Sequence, residues 1–340
     1  MEYREPSRIV ASERRTESLI EDADSPSRPH RFDFVRPKGR LDARRLVGAI
    51  LLMTVVVAVV IYLGRTAVDA AVGWLQNQPR YQLRFDEIRL VTPPPEWFRG
   101  GPQAFLERVR QTADEPEVLS LLALEPGRIE RAFKFFPWVK SVDGIAFPPR
   151  SIEVKLSYNV PAAVVQIGAA AKVVIDRHAI VLPAEDIETS KVGRTILING
   201  KGIVAPPSNR LGRVWKTETP DRPELAQVDR YVVQAAKLAG FLLEPQRLSD
   251  AESSRALRIV AIITTDPINE DWLFLQNADG VIIRWGEAPG DEPSKEPSAE
   301  GKWRILVDKA KAKAIEPQAR RGYWMFADDD LRYHEIDQRP

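Results

Sequence analysis

Residues 46–63 read LVGAILLMTVVVAVVIYL, a run without a single charge, and the organisation of the rest of the chain follows from it. A bilayer core is about 30 Å thick, and at about 1.5 Å per residue this run is near the minimum that crosses it as a helix. Its many β-branched residues matter little there, because lipid offers the backbone no water to bond instead. A buried core helix and a cleaved signal peptide are the competing readings. The run starts far from Met1 and no clear small-residue cleavage site follows it, which speaks against a signal peptide.

The flanks set the direction. Arg31, Arg36, Lys38, Arg40, Arg44 and Arg45 precede the run, opposed by Asp33 and Asp42, while Arg65 stands nearly alone behind it. Basic flanks stay in the cytoplasm, so residues 1–45 are expected inside and the remainder outside. Residues 1–40 mix both charges with Ser and Pro and show no apolar period, as disordered tails do. Good helix formers continue through Leu75, giving a transmembrane helix with its extension over 46–75. Trp74 and Tyr81 suit the outer lipid interface.

Composition narrows the chemistry. The 340 residues leave room for two modest folded units beyond the anchor. A net charge of +1 gives no general reason to expect nucleic acid. The chain holds no cysteine, which removes disulfides, thiol catalysis and thiolate metal sites. Its three histidines, His30, His178 and His334, form no metal-spaced cluster.

Beyond the anchor, residues 85–91 (FDEIRLV) read as a short strand, stopped by Thr92-Pro93-Pro94-Pro95. Pro102 opens a helix running to Gln111. After the short apolar stretch 119–124, Pro126 opens a second helix, with Ile129, Ala132, Phe133 and Phe136 at helical spacing until Pro137. Residues 138–145 and 151–158 form two strands. On the latter, Ile152, Val154 and Leu156 face the helices and Glu153, Lys155 and Ser157 face solvent. Past Pro161 come short strands at 162–167, 172–176, 180–182 and 195–198, then an amphipathic helix over 224–243 ended near Pro245. Strands at 256–264, 272–276 and 280–285 follow, the last two joined by the hairpin signal Asp279-Gly280. A helix over 300–314 and a hairpin of 323–327 with 331–336 complete the reading, which is α+β.

Phe136-Pro137-Trp138-Val139-Lys140-Ser141-Val142 resembles the junction of the POTRA domain in the FtsQ/DivIB family of bacterial cell-division proteins. Phe147-Pro148 stands where that family has Trp-Pro, and Val174-Ile175-Asp176 is similar to its "vD-x-x-G" strand, with His178 or Ala179 in place of Gly. Asp279-Gly280-Val281, Trp285-Gly286 and the helix from Glu300 are similar to its later hairpin and helix, and Asp330-Leu331-Arg332-Tyr333 to its closing strand. The order of elements agrees over residues 46–336. Residues 92–102 and 205–223 read as insertions, and Tyr158-Asn159 replaces the usual Glu-Arg. The resemblance implies a single N-terminal transmembrane helix, a βααββ POTRA-like domain over 82–160, and a mostly antiparallel β domain with two helices over 161–336.

It also implies a bitopic scaffold in the inner membrane, at the division site, that binds small single-pass division proteins of the FtsB/FtsL type. No catalytic, cofactor or metal residue is expected, nor a nucleic acid or small-molecule substrate; lipid bilayer and protein are the partners. From the residues themselves, Pro137, Trp138 and Val139 are architectural, Pro ending the helix and Trp138 filling the seam between helix and sheet. The last strand has no successor to cover it, so its edge is open to another chain's strand, with Tyr323, Trp324, Leu331, Arg332 and Tyr333 as the candidate contact residues. The loop 284–290 lacks the Lys-Ser/Thr of a phosphate loop, and Asp328-Asp329-Asp330 is an acidic tip. An envelope-transport component carrying a POTRA domain, and an enzyme acting on envelope polymers, are the alternatives.

Overall fold

The structure, a computed structural model, describes residues 43–336 apart from 170, 219–221, 223, 265–271, 319–321 and 328–329. The expected disordered tail, residues 1–40, lies outside the described residues. The chain divides into two compact units between Thr66 and Ala67.

Helix α1 (Ala43–Gln76) contains one stretch, residues 46–76, long and apolar enough to cross a membrane, and none of it is buried against protein. Its two threonines donate back to carbonyls of the preceding turn, Thr54 to Ile50 at 2.9 Å and Thr66 to Leu63 at 3.0 Å. Neither hydroxyl is thereby left without a partner, as an apolar surrounding requires.

In the second unit, β1 (Gln82–Arg84) leads through a 3₁₀ turn at Phe85–Glu87 into β2 (Arg89–Leu90). The single strand expected over 85–91 is therefore broken. Phe85 and Ile88 are both buried, and residues three apart share a face in a 3₁₀ turn but not in a strand. Helices α2 (Gly101–Thr112) and α3 (Pro126–Phe135) flank β3 (Val118–Ser120), and β4 (Val139–Ala146) and β5 (Glu153–Tyr158) follow. β5 lies in the middle of a three-stranded sheet, parallel to β2 and antiparallel to β4, while β1 and β3 pair separately. Ile152, Val154 and Leu156 turn inward onto Phe105, Val109, Ile129 and Phe133 of the two helices. Burying so many large side chains is the main stabilisation of this layer, at about 1.5–3 kcal/mol apiece.

The remaining strands are β6 (Pro161–Ile167), β7 (Ala171–Asp176), β8 (Val181–Leu182), β9 (Ile196–Asn199), β10 (Ile259–Ile263), β11 (Leu273–Asn277), β12 (Ile282–Gly286), β13 (Gly322–Ala327) and β14 (Asp330–Glu335). They form one nine-stranded sheet in the order β14-β13-β12-β11-β10-β9-β6-β7-β8. Most neighbours are antiparallel, but β9 runs parallel to both β6 and β10, and β13 parallel to β12. Helices α4 (Glu224–Leu242), α5 (Pro245–Ser253) and α6 (Ala299–Lys311) belong to this part. Two helices were expected. Pro245 does end α4, but a proline also fits the first helical turn, and here it opens α5. Val232, Ala235, Leu238, Trp303 and Leu306 of α4 and α6 join Ile198, Leu275 and Ile283 of the sheet in a second hydrophobic cluster. Gly240 sits where a Cβ would meet the Arg177 side chain at 2.5 Å, and so lets that side chain cross α4 and donate to the Gly240 carbonyl at 3.2 Å.

The two clusters are not sealed off from each other. Val174, Leu182 and Ile187, from the region of β7 and β8, complete the first one, together with Trp97 and Phe98 of the Pro-rich segment. The described parts of both stretches read as insertions, 92–102 and 205–223, are seated in the fold. Gly212 donates to the Val181 carbonyl at 2.9 Å, and Trp215 is buried with its indole on Asp229 at 3.0 Å.

Candidate strand-docking edge

Among the described residues β14 has one neighbour, β13, to which it is held in antiparallel register from Gly322 opposite Glu335 to Ala327 opposite Asp330. In such a pair alternate residues bond across the ladder, and the N–H and C=O groups of those between point away. The hairpin is closely fitted at its open end, where a Cβ on Gly322 would come within 2.3 Å of the His334 carbonyl oxygen and 2.4 Å of the Tyr333 hydroxyl. Near the tip, Asp330 pairs with Lys309 of α6 at 2.6 Å. That hydrogen bond, and the Leu331 N–H it also receives, hold its carboxyl below the usual carboxylate range.

The five residues predicted to meet a partner do not share one environment. Tyr323 is buried, edge-on to Phe274 at 5.6 Å and beside His334 at 5.2 Å. Leu331 is buried in the second hydrophobic cluster. The two are buried on opposite faces of the hairpin: Leu331 shares its face with Trp324 and Tyr333, and Tyr323 shares its face with Arg332 and His334. Trp324 and Tyr333 are half-buried and oppose each other across the hairpin at 5.6 Å, and the Trp324 indole N–H is buried without a partner among the described residues. Arg332 is exposed on the other face.

The sheets' other edges are treated differently. At the far end of the nine-stranded sheet, β8 is covered by residues 211–214, with Val181 donating to the Arg213 carbonyl at 2.9 Å. In the three-stranded sheet, β4 breaks register twice against β5. Asp143 accepts there from Ser141 at 2.6 Å and Ser157 at 2.7 Å, bonds that lower its pKa. Bulges and a charged side chain are what discourage a strand from pairing with another chain.

The architectural residues lie elsewhere. Trp138 is fully buried, its ring 4.7 Å from that of Trp97, and its indole donates to Asp186 at 2.9 Å. It therefore does more than fill a seam between helix and sheet, because it also bonds to the turn after β8. Asn159 donates from its side chain to the Pro137 carbonyl and from its backbone to that of Trp138, both at 2.9 Å. Val139 is buried beside them, opposite Tyr158. Asp186, invisible as a partner from sequence, sits 48 positions beyond Trp138.

The tempting loop 284–290 has a structural account. Lys302 of α6 is buried and bonds Glu296, with its ammonium 5.0 Å from the Trp285 ring centre. Burial lowers the lysine's pKa and Glu296 works against that shift. Gly286, at φ +93°, makes room for the Glu296 carboxylate, which also accepts from the Glu287 N–H at 3.3 Å. The cation thus pins the loop. His178 is exposed, with its N–H on Asp176 at 2.8 Å. Among the described residues no group of three or more His, Cys, Asp or Glu side chains is placed to hold a metal ion.

No protein-family model matches the chain, and no curated protein matches it in sequence.

Proposed function

We propose that this protein is a bitopic scaffold of the bacterial cell-division machinery, of the FtsQ/DivIB type, anchored in the inner membrane by α1 with its N-terminus in the cytoplasm. Outside the membrane it captures a small single-pass division protein of the FtsB/FtsL kind by adding that partner's strand to β14. The observation that carries this reading is the place of β14 at the end of the nine-stranded order, with β13 as its neighbour among the described strands, next to the half-buried Trp324–Tyr333 pair. A main-chain ladder supplies affinity and an aromatic platform supplies specificity. Further support comes from the order β2-α2-β3-α3-β4-β5 with β2 beside β5 and β3 paired apart from that sheet, which contains the strand-helix-helix-strand-strand order expected of a POTRA domain, and from the run of residues 46–63.

The test is capture of the single-pass partner by the full-length, membrane-embedded protein carrying Arg332→Pro or Tyr333→Pro. Adjacent residues send their N–H groups in opposite directions, so one proline removes a bond to β13 and the other removes one offered outward. One variant should loosen the hairpin; the other should stay folded and lose the partner. If a folded variant with its outward N–H removed still captures the same partner, docking is not by strand addition.

A further inference from the structure

Residues 92–99, TPPPEWFR, leave the first hydrophobic cluster, cross to the turn after β8 and return. At the near end, the Tyr158 hydroxyl donates to the Thr92 carbonyl at 2.7 Å, and burial raises its pKa so that it remains a donor. Pro93, Pro94 and Pro95 then hold the segment extended and remove three N–H groups that would need partners. At the far end Phe98 bridges Ile187, Arg99 donates its N–H to the Asp186 carbonyl at 2.8 Å, and the Trp97 carbonyl accepts from Glu188 at 2.8 Å. The Arg99 guanidinium adds a bond to the Ile187 carbonyl at 3.0 Å.

Under this segment lies Asp186, whose carboxylate takes the Trp138 indole on one oxygen and Arg108 of α2, at 2.7 Å, on the other. The aromatic rings above it are interlocked: Trp97 on Trp138, and Phe98 edge-on to Phe105 at 5.3 Å and to Phe136 at 6.2 Å. The direct covalent link between the two layers is short, Asn159 and the exposed Val160 between β5 and β6. A second support stands nearby, Gly212, whose backbone approaches Pro137 so closely that a Cβ would lie 3.2 Å from its Cα.

We propose that residues 92–99 act as a strap that locks the layer of α2, α3, β4 and β5 onto the turn after β8 of the nine-stranded sheet, so that the direction of α6 and β14 relative to α3 is set by whether the strap is seated. Seated, it holds the layers at two separated points, which a two-residue link alone cannot do. Lifted, it leaves the bonds of Asp186 to Trp138 and Arg108 and the approach of Gly212 to Pro137 to hold the layers about the covalent link Asn159–Val160. The backbone bonds of Trp97, Arg99 and Glu188 have water as an alternative partner once the strap lifts, which makes the lock reversible.

The chain has no cysteine, so paired spin labels at Lys134→Cys on α3 and Lys311→Cys at the end of α6 report the separation of the layers in the full-length protein in nanodiscs. The parent should give one narrow distance. Trp97→Gly should shift or broaden it while hydrogen exchange shows α3 and α4 still protected. Should Trp97→Gly lose the protection of α3, the milder Pro93→Gly/Pro94→Gly/Pro95→Gly chain, which keeps every ring of the strap, decides in its place by the same readout. A parent already broad, or a folded strap variant as narrow as the parent, overturns the proposal. No partner enters this experiment, so its failure leaves the docking edge untouched.

Discussion

The indole N–H of Trp138 meets the carboxylate of Asp186 at 2.9 Å inside the protein, where neither group reaches water. Arg108 approaches the same carboxylate from the surface side. Desolvation still outweighs both favourable contacts and lifts the Asp186 pKa above the ordinary value. The pair is therefore a bond within the packing and a source of tension in it.

Trp138→Ala should destabilise the protein by about 3–5 kcal/mol, the cost of a large aromatic cavity. Trp138→Phe keeps much of the volume but takes a donor from a buried carboxylate, a loss of about 1–3 kcal/mol. Denaturant unfolding of the detergent-solubilised full chain measures both, and a Phe variant as stable as the parent would show the bond contributes nothing.

Asp186→Asn separates the charge from the shape. Because the folded pKa is raised, stability from this group is complete below the unfolded value near 3.8 and is lost as pH rises through the folded one. Asparagine still accepts from Trp138 and never ionises. The melting temperature of the variant should therefore gain on the parent as pH rises from about 4 to 7; a gap that narrows over that range contradicts the assignment.

Glu296→Ala strands the buried Lys302 ammonium and takes an acceptor from the Glu287 N–H. Removing one member of a buried pair costs about 3–5 kcal/mol. Loss of loop protection in hydrogen exchange across residues 287–298 should accompany the fall in stability.

On the docking edge, Arg332→Glu should abolish capture of the single-pass partner with stability changed by less than about 0.5 kcal/mol, as for an exposed site. Tyr333→Ala should weaken capture by about 2 kcal/mol, roughly thirty-fold. Tyr323→Ala should instead unfold the hairpin, since that ring is buried on Phe274. Binding and melting measured on the same preparations distinguish the two kinds of residue.

On the proposed orientation, which follows from the basic flank before residue 46, protease added on the extracytoplasmic side of spheroplasts should degrade the chain beyond Tyr81 and spare residues 1–45. Protection of the C-terminal region would reverse the topology.

Much of the fold can be read from periodicity. The apolar run 46–63, the inward triplet Ile152, Val154 and Leu156, and the Asp279-Gly280 turn are local patterns, and local patterns survive into structure. Gly280 takes φ +81° while the Asn277 side chain accepts from the Asp279 and Val281 N–H groups. What escaped was long-range. Nothing in 92–102 announces that Trp97 and Phe98 belong to a core built mainly by other segments, and no spacing rule links Trp138 to Asp186. At the edge, alternation correctly separates Leu331 and Tyr333 from Arg332 and His334. It cannot say that both faces of this hairpin are partly covered, so Leu331, on the face of the helices, and Tyr323, on the opposite face against Phe274, read as contacts although both side chains are buried. Pro245 carried two meanings, stop and start, and only packing chose between them.

From β9 onward the order of strands along the chain is also their order across the sheet, ending at β14. A polypeptide threaded through a translocation channel N-terminus first would lay these strands down one against the next, each completed edge serving as the template for its successor. Among the described strands β14 is thus the last to emerge and the last to find its neighbour.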